Sequence, residues 1–243
     1  MAVPPSLQVL FRDEQLIAVD KPAGMLVHRS ALDTHDPVNV LRLLKQQTGC
    51  HLYPVHRLDK PTSGVLIFAL TKGAARVVSA QFESHQITKN YLAVVRGYCP
   101  PEGTINSTIR DRDNPQRARQ PAETHFHTLA RIELPFAVDR YPSSRYSLLQ
   151  IAPVTGRRHQ IRQHLKHISH PIVGDSSYGK TPHNRFFNWH FQSTRLLLHA
   201  CSLKLNHPVS RIPIEIRRKP SDAAYIRVLA HAAWQSAEAA QSE

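Results

Sequence analysis

The chain has 243 residues, of which 41% are hydrophobic, and it sets 31 Lys and Arg against 18 Asp and Glu for a formal charge of +13. That length and apolar content suffice to bury a sizeable core, in one large domain or two small ones, as in an ordinary soluble globular protein. The charge excess favours a polyanionic partner, with nucleic acid ahead of a basic surface that serves only solubility. Three scattered cysteines, Cys50, Cys99 and Cys201, exclude a zinc-holding CxxC pair and an even disulfide framework. The opening residues, MAVPPSLQVLFRDEQ, lack a basic stretch followed by an apolar one, and no run nears the roughly 18 apolar residues of a membrane span. Secretion and membrane insertion are therefore disfavoured, and a reducing cytoplasm is the expected location.

Residues 7–12 and 16–19 are short apolar runs separated by Asp13 and Glu14, which predicts a hairpin with no leader domain ahead of it. Asp36 and Pro37 offer an N-cap and a first-turn proline for a helix over 38–47, with Val40, Leu41 and Leu44 on one face and Gly49 as its stop. The apolar run 65–70 predicts a strand, followed by Thr71 as the cap of a helix over 72–85. TKNYLAVVR, residues 88–96, carries Tyr91, Val94 and Val95, ends at Gly97 and reads as another strand. Residues 125–132 and 145–151 read likewise. The polar, Pro-containing stretch 100–121 holds Arg110, Arg112, Arg117 and Arg119 with little apolar content, and is expected to be a loop or insertion.

Gly156 precedes a helix over 157–168, in which Ile161, Leu165 and Ile168 are the only apolar residues at helical spacing and the remaining face is strongly basic. Residues 195–199, 202–205 and 212–216 read as short strands. Ser221 opens a last helix to about 239, docked by Tyr225, Ile226, Leu229 and Trp234. Strands outnumber helices without alternating strictly, so the expected class is α+β with a mixed, largely antiparallel sheet. No linker divides the chain, and a single domain over 1–243 is expected.

No GxGxxG follows a strand, no GxxxxGK[ST] occurs, and the nine glycines are scattered. Nucleotide-driven chemistry and a nucleotide cofactor are disfavoured accordingly. Of the 16 histidines, His159, His164, His167 and His170 include an i, i+3 pair able to face a metal from one helix. Neither HExxH nor a Cys partner accompanies them, so no metal site is expected; histidines on an RNA-facing surface explain them equally well.

The segment His56-Arg57-Leu58-Asp59-Lys60-Pro61-Thr62-Ser63-Gly64 leads into the strand over 65–70, so Asp59 is expected on a turn held by a buried strand. Its residues alone allow Asp59 to cap that turn or to pair with Arg57, and by themselves stop short of a reaction. HRLDKPTSGVLIFAL, residues 56–70, resembles the signature of the RluA-type pseudouridine synthases, in which the Asp of HRLD is the catalytic carboxylate. DKPAGMLVH (20–28), KNYLAVVRG (89–97) and TGRRHQIRQHL (155–165) resemble further family blocks in the family's order, as do HPIVGDSSYG (170–179) and LLLHACSLKLNHP (196–208). Within the family, LVHRS (26–30), YPSSRYSL (141–148) and the stretch near HNRFF (183–187) are most similar to the TruC-like branch, which modifies uridine 65 of certain tRNAs. No S4-like RNA-binding module precedes the expected catalytic domain, which suits a tRNA enzyme.

The resemblance implies a pseudouridine-synthase-like fold whose sheet is flanked by helices and loops and carries a central RNA-binding cleft. It also implies a reaction: the N1 to C1′ glycosidic bond of uridine breaks, the freed uracil turns, and C5 bonds to C1′. That isomerisation is redox neutral, so no cofactor is expected. A carboxylate can stabilise the positive character that builds at the sugar, add covalently or take a proton, as in glycoside hydrolysis, and Asp59 holds that role by resemblance. Attack at C1′, addition at C6 and abstraction of the 2′ proton all remain open as its first act.

A carboxylate removed from water stays ionised only beside a cation or several donors. In the resembling family the Arg of the QIR element is that cation, here Arg162; by its residues alone it is one more phosphate-binding arginine on a basic helix. Tyr91, in the K-x-Y strand, would stack against the uracil and assist loss of the C5 proton, and Leu165 would pack at the base pocket, although periodicity alone makes both core residues. The uridine must be extruded from its stack, at a few kcal/mol, and Arg57 is suited to fill the vacated space. His56 is expected to support the turn or touch phosphate. Arg157, Arg158, Lys166 and the arginines of 110–119 are candidates for phosphate contact. The expected partner is RNA, tRNA first, bound by a monomer. The alternatives are a ribosomal-RNA synthase of the same family, a noncatalytic RNA-binding protein on this scaffold, and a metal-dependent nuclease using the histidines.

Overall fold

The structure, a computed structural model, describes residues 6–28, 38–111, 114, 116 and 118–236. The chain divides into two compact units, residues 1–89 with 200–219, and residues 90–199 with 220–243.

The first unit opens on the expected hairpin, β1 (Val9–Arg12) against β2 (Leu16–Lys21). Asp13 makes the turn: its Oδ1 accepts from the backbone N–H groups of Gln15 and Leu16, both at 2.7 Å. On its other edge β2 pairs antiparallel with β4 (Ser63–Ala69), from Leu16 opposite Ala69 to Lys21 opposite Gly64. A two-residue β3 (Tyr53–Pro54) also pairs with β4. This register places Leu16 and Ala18 on the same face as Val65, Ile67 and Ala69, and that face packs with Ala74, Val78, Leu203, Leu205 and Ile216. All seven residues of β4 are buried, as a continuous apolar run requires of a strand covered on both faces.

Helix α1 (Val40–Thr48) starts two residues later than expected. Asn39 caps it by accepting from the Arg42 N–H, and Gly49 ends it in the left-handed conformation. The expected cap, Asp36 with Pro37, lies outside the described residues. The buried side chains are Val40, Leu43 and Leu44, with Leu43 replacing the expected Leu41. Helix α2 (Lys72–Glu83) has the expected Thr71 cap, whose hydroxyl accepts from the Ala74 N–H at 3.1 Å. It stops short of residue 85 because Ser84 Oγ donates back to the Ala80 carbonyl and His85 takes a left-handed conformation. The expected strands 195–199 and 202–205 are one strand, β9 (Leu198–Asn206), paired antiparallel with β10 (Pro213–Arg217).

Gly64 explains the end of the Pro-Thr-Ser-Gly run. Its φ is +109° and a Cβ there would lie 2.2 Å from the Ala200 carbonyl oxygen. Gly64→Ala is therefore expected to lose about 2–4 kcal/mol of stability through backbone strain and overpacking combined, measured as a lowered urea midpoint; an unchanged midpoint contradicts this reading of the turn.

The second unit holds β5 (Thr88–Arg96) from Asn90 onward, β7 (Gln120–Leu134) and β8 (Ser144–Pro153), with β8 paired antiparallel to both others. The stretch expected to be a loop is half strand: β6 (Glu102–Ile109) pairs with β7 from Glu102 opposite His127 to Ile109 opposite Gln120. Only Ile105 and Ile109 bury large apolar side chains there, each 4% exposed. One ladder partner and two inward apolar residues left too sparse an alternation to read. Arg112 and Arg117 lie outside the described residues.

Helix α3 (Gln160–His167) is shorter than expected. Helix α4 (Thr181–Phe191) was not expected at all; Pro182 sits in its first turn, and Phe187 and Phe191 pack with Tyr146, Tyr225 and Val228 in one core cluster. Helix α5 (Ala223–Leu229), capped by Asp222, ends ten residues before the expected 239. Trp234 accounts for the stop: its Nε1 donates to the Val228 carbonyl at 2.7 Å, folding the chain back so that β11 (Gln235–Ser236) pairs with β7. Tyr225 and Val228 dock the helix with zero exposure, while Ile226, expected inside, is 46% exposed.

Among the described residues the ladders within both units are antiparallel, a parallel bridge joins Leu26 to Asn39, and five helices accompany the strands. This is the α+β class expected, with a mixed, largely antiparallel sheet. Among the described residues no helix is long and apolar enough to cross a membrane.

Candidate active site

In the first unit Asp59 heads a turn closed by the Thr62 N–H donating to the Asp59 carbonyl at 3.0 Å. The turn is braced from below by Lys21, the last residue of β2, whose side chain is fully buried. Its Nζ donates to the carbonyls of Pro22 (2.9 Å), Lys60 (3.0 Å) and Thr62 (2.6 Å). A buried ammonium is tolerable only with such acceptors, and each charge-assisted bond contributes about 1.5–3 kcal/mol. Gly24 adds an N–H bond to the Lys60 carbonyl at 2.9 Å, and Asp20 accepts from Arg218 Nε at 2.6 Å. The DKPAG segment is thus the support of the HRLD turn. Sequence reasoning quoted both segments without linking them, because only folding reveals that a strand-end lysine points into the turn.

The neighbours of Asp59 divide by exposure. Arg57 is exposed and Leu58 is buried at 6%. His56 accepts from the Ile67 N–H through Nε2 at 3.1 Å and stacks on Phe82 with ring centres 4.7 Å apart. Burial first, and the charge of Lys89 second, push its pKa down to about 3. A neutral ring so tied, accepting at Nε2 and therefore protonated only at Nδ1, supports the turn and does not act as an imidazolium acid. Because the unfolded ring protonates near 6.5, the folded state binds fewer protons between about pH 6.5 and 3, and stability falls as pH drops through that window. The urea midpoint is expected to fall from pH 7 to pH 5, and to fall less in His56→Gln; equal falls contradict this assignment. Lys89, also overlooked, is pushed down to about 8 by burial.

In the second unit α3 is set by the TGRRHQIR segment. Gln160 Oε1 accepts from the Thr155 hydroxyl (2.7 Å) and the Arg157 N–H (2.9 Å), and its Nε2 donates to the Glu123 carbonyl (2.8 Å) and Thr124 Oγ1 (2.9 Å). All four bonding positions of the amide are used. His164 continues the chain, its Nδ1 2.9 Å from Thr124 Oγ1 and its Nε2 3.3 Å from the Ser107 carbonyl. Since a carbonyl only accepts, Nε2 carries the proton, and burial lowers the pKa of the ring. The helix expected to be strongly basic outside its apolar stripe therefore includes three buried polar residues, Gln160, Arg162 and His164.

Arg162 is 3% exposed and donates from Nε to Asp175 Oδ2 at 2.7 Å and from Nη2 to Asp175 Oδ1 at 2.9 Å. Its guanidinium also stacks on Tyr178, 5.1 Å from the ring centre. Asp175 Oδ1 accepts in addition from the Ser177 and Tyr178 N–H groups, both at 2.9 Å. Burial alone raises a carboxyl pKa, but the hydrogen bonds and charge of Arg162 with these N–H groups outweigh it and hold Asp175 below its ordinary value. Gly174 permits the loop, since at its φ of +79° a Cβ would meet the Arg195 carbonyl oxygen at 1.9 Å. Within the HPIVGDSSYG block nothing local distinguishes Asp175 from a turn aspartate, so its role is legible only in the fold.

Tyr91 on β5 is partly buried against the cluster that contains Ile151, Ile161 and Leu165. Leu165, expected at the base pocket, has zero exposure within that cluster. Arg157 is exposed, its Nε donating to the Pro121 carbonyl at 3.4 Å. Arg158 lies 3.7 Å from Asp111. Each unit thus gathers part of the expected set, His56, Arg57 and Asp59 on one turn, and Tyr91, Arg162 and Leu165 on and around one core cluster. Among the described residues no group of three His, Cys, Asp or Glu side chains is gathered to hold a metal.

A braced carboxylate turn, a buried arginine fork and the fold around them define a class. The chain belongs to the RNA pseudouridylate synthase family, whose model matches residues 15–167. It is 47% identical to the tRNA pseudouridine synthase C of Pectobacterium carotovorum subsp. carotovorum over 237 residues, 94% of this chain and 63% of that protein. It is 48% identical to that of Yersinia pestis, over 84% of this chain and 82% of the relative, and 41% identical to that of Vibrio cholerae, over 94% and 97%. In fold it is similar to Human RNA Pseudouridylate Synthase Domain Containing 1, with a TM-score of 0.72 at 23% identity over 99% of this chain and 97% of the other. For Domain Containing 4 the TM-score is 0.69 at 25% identity, over 91% and 93%.

Proposed function

We propose that the protein isomerises a specific uridine of tRNA, uridine 65, to pseudouridine, acting as a single catalytic domain and a monomer in the cytoplasm. The observation that carries this is the Asp59 turn, held by the Lys21 ammonium through the Lys60 and Thr62 carbonyls, in a chain that matches the family over residues 15–167. Preorganisation of this kind suits a group that must meet one sugar carbon in one geometry. The tRNA substrate is supported by the names of the relatives, and position 65 by the resemblance to the TruC-like branch.

In the reaction the N1 to C1′ bond breaks and a C5 to C1′ bond forms, while C5 loses its proton and N1 gains one. Atoms and electrons balance without an oxidant, so the chemistry asks for no cofactor. Asp59 acts at the sugar, Arg162 is the charge partner that the family resemblance assigns to it, and Tyr91 lies along the uracil and assists loss of the C5 proton. Arg57, exposed beside Asp59, fills the space left by the extruded nucleotide. Leu165 acts through the packing of α3, and Arg157 and Arg158 meet phosphate. Tritium release from tRNA labelled at C5 of uridine tests the reading: wild-type protein is expected to release it catalytically. Release from ribosomal RNA instead moves the substrate, and release from neither contradicts the isomerase reading.

A further inference from the structure

Helix α4 begins at residue 181, beyond the family match at 15–167, yet inside the span that aligns with the relatives named tRNA pseudouridine synthase C. Its outer face carries Trp189, 69% exposed, the most exposed large hydrophobic side chain among the described residues. The indole is not loose. Phe136 meets it edge-on with ring centres 5.7 Å apart and Phe186 lies 6.1 Å away, so one side is propped on the core and the other faces solvent.

Exposed cationic side chains stand at both ends of the helix, and the acidic group that acts on it, Asp139, does so at the buried His183. Arg185, one turn earlier, is exposed and has no acidic partner among the described residues. Arg227 of α5 reaches the other end of α4, donating from Nη1 to Gln192 Oε1 at 2.8 Å. From Lys180 to Gln192 the sequence contains neither Asp nor Glu. An exposed aromatic face flanked by unneutralised guanidinium groups matches the two parts of an unpaired nucleotide, with the base on the ring and phosphates on the cations.

We propose that Trp189 is a stacking platform for an unpaired nucleotide of the RNA substrate, with Arg185 and Arg227 on adjacent phosphates; this rests on the RNA reading above and adds a recognition element to it. The test uses the full chain with bulk tRNA, reading equilibrium binding and C5 tritium release in the same preparations. Trp189→Ala is expected to weaken binding about tenfold, with the loss falling on KM, and Trp189→Phe to recover most of it. Arg185→Ala is expected to lower the slope of log affinity against log salt by about one.

Wild-type affinity in Trp189→Ala overturns the proposal, as does a variant altered in self-association but not in RNA affinity. A wild-type protein that binds no tRNA overturns it too. Tritium release scores the isomerase reading separately: if wild-type protein releases none while binding still depends on Trp189, that reading fails and the stacking platform stands.

Discussion

Asp59→Asn protein is expected to release no measurable tritium from C5-labelled tRNA, a loss on the order of 10⁴-fold or more, as when a reacting group is removed from a preorganised site. RNA affinity should stay within about twofold, because the substitution is isosteric and the basic residues proposed to meet phosphate are untouched. The turn should survive, since its bracing runs through the carbonyls of Lys60 and Thr62 and the Asp59 main chain. Unaltered affinity with lost turnover is the signature of chemistry removed from an intact binding surface. A tenfold drop in affinity, or turnover within tenfold of wild type, contradicts the role given to this carboxylate.

Asp175→Asn is expected to be the most damaging change to stability. In the native protein Oδ2 faces the Nε–H of Arg162, and Oδ1 accepts from Nη2 and from two backbone N–H groups. The amide keeps one oxygen for the Oδ1 cluster and then turns an N–H₂ donor toward a guanidinium donor. Removing one partner of a buried pair costs about 3–5 kcal/mol, and the two side chains here are 4% and 0% exposed. Equilibrium urea unfolding measures the loss; wild-type stability contradicts it.

The same pair gives a pH dependence of known sign. Asp175 has a folded pKa below the ordinary aspartate value of about 3.9. Its contribution is therefore fully present above that value and is lost as pH falls through the lower folded one. Asp175→Asn should lack this component of acid unfolding, which a comparison of urea midpoints at pH 5 and pH 3 detects.

What could be read from the sequence follows physical lines. β2 and β4 were legible as short continuous apolar runs and α2 through its cap, with Asp13 and Thr71 marking the ends by side chains that bond the backbone. β6 was not, since a strand with one ladder partner needs only Ile105 and Ile109 inside and its Thr, Ser and Asn resemble a loop. α4 was missed because its buried aromatics, Phe186, Phe187 and Phe191, are spaced among His, Asn and Arg with no polar cap to announce the start. The last helix was expected to run on to about 239 because Trp234 was counted among its docking residues, whereas the bond from Trp234 to the Val228 carbonyl folds the chain back.

For the site, four ordered blocks named Asp59, Tyr91 and Arg162 through resemblance, whereas the residues that hold them were invisible. Lys21 and Asp175 are an ordinary-looking lysine and aspartate until the fold carries one under the turn, through a β2 to β4 register, and the other under the guanidinium. Sequence motifs mark what reacts; the polar groups that aim it are decided by long-range packing.

The central claim is that Asp59 makes pseudouridine in tRNA. The most direct measurement maps pseudouridine by reverse-transcription stops after carbodiimide treatment, in cells that lack this gene and carry either the wild-type or the Asp59→Asn copy. The expected result is a stop at tRNA position 65 that vanishes with the gene, returns with the wild-type copy and stays absent with Asp59→Asn. A stop that persists without the gene, or that the Asp59→Asn copy restores, contradicts it.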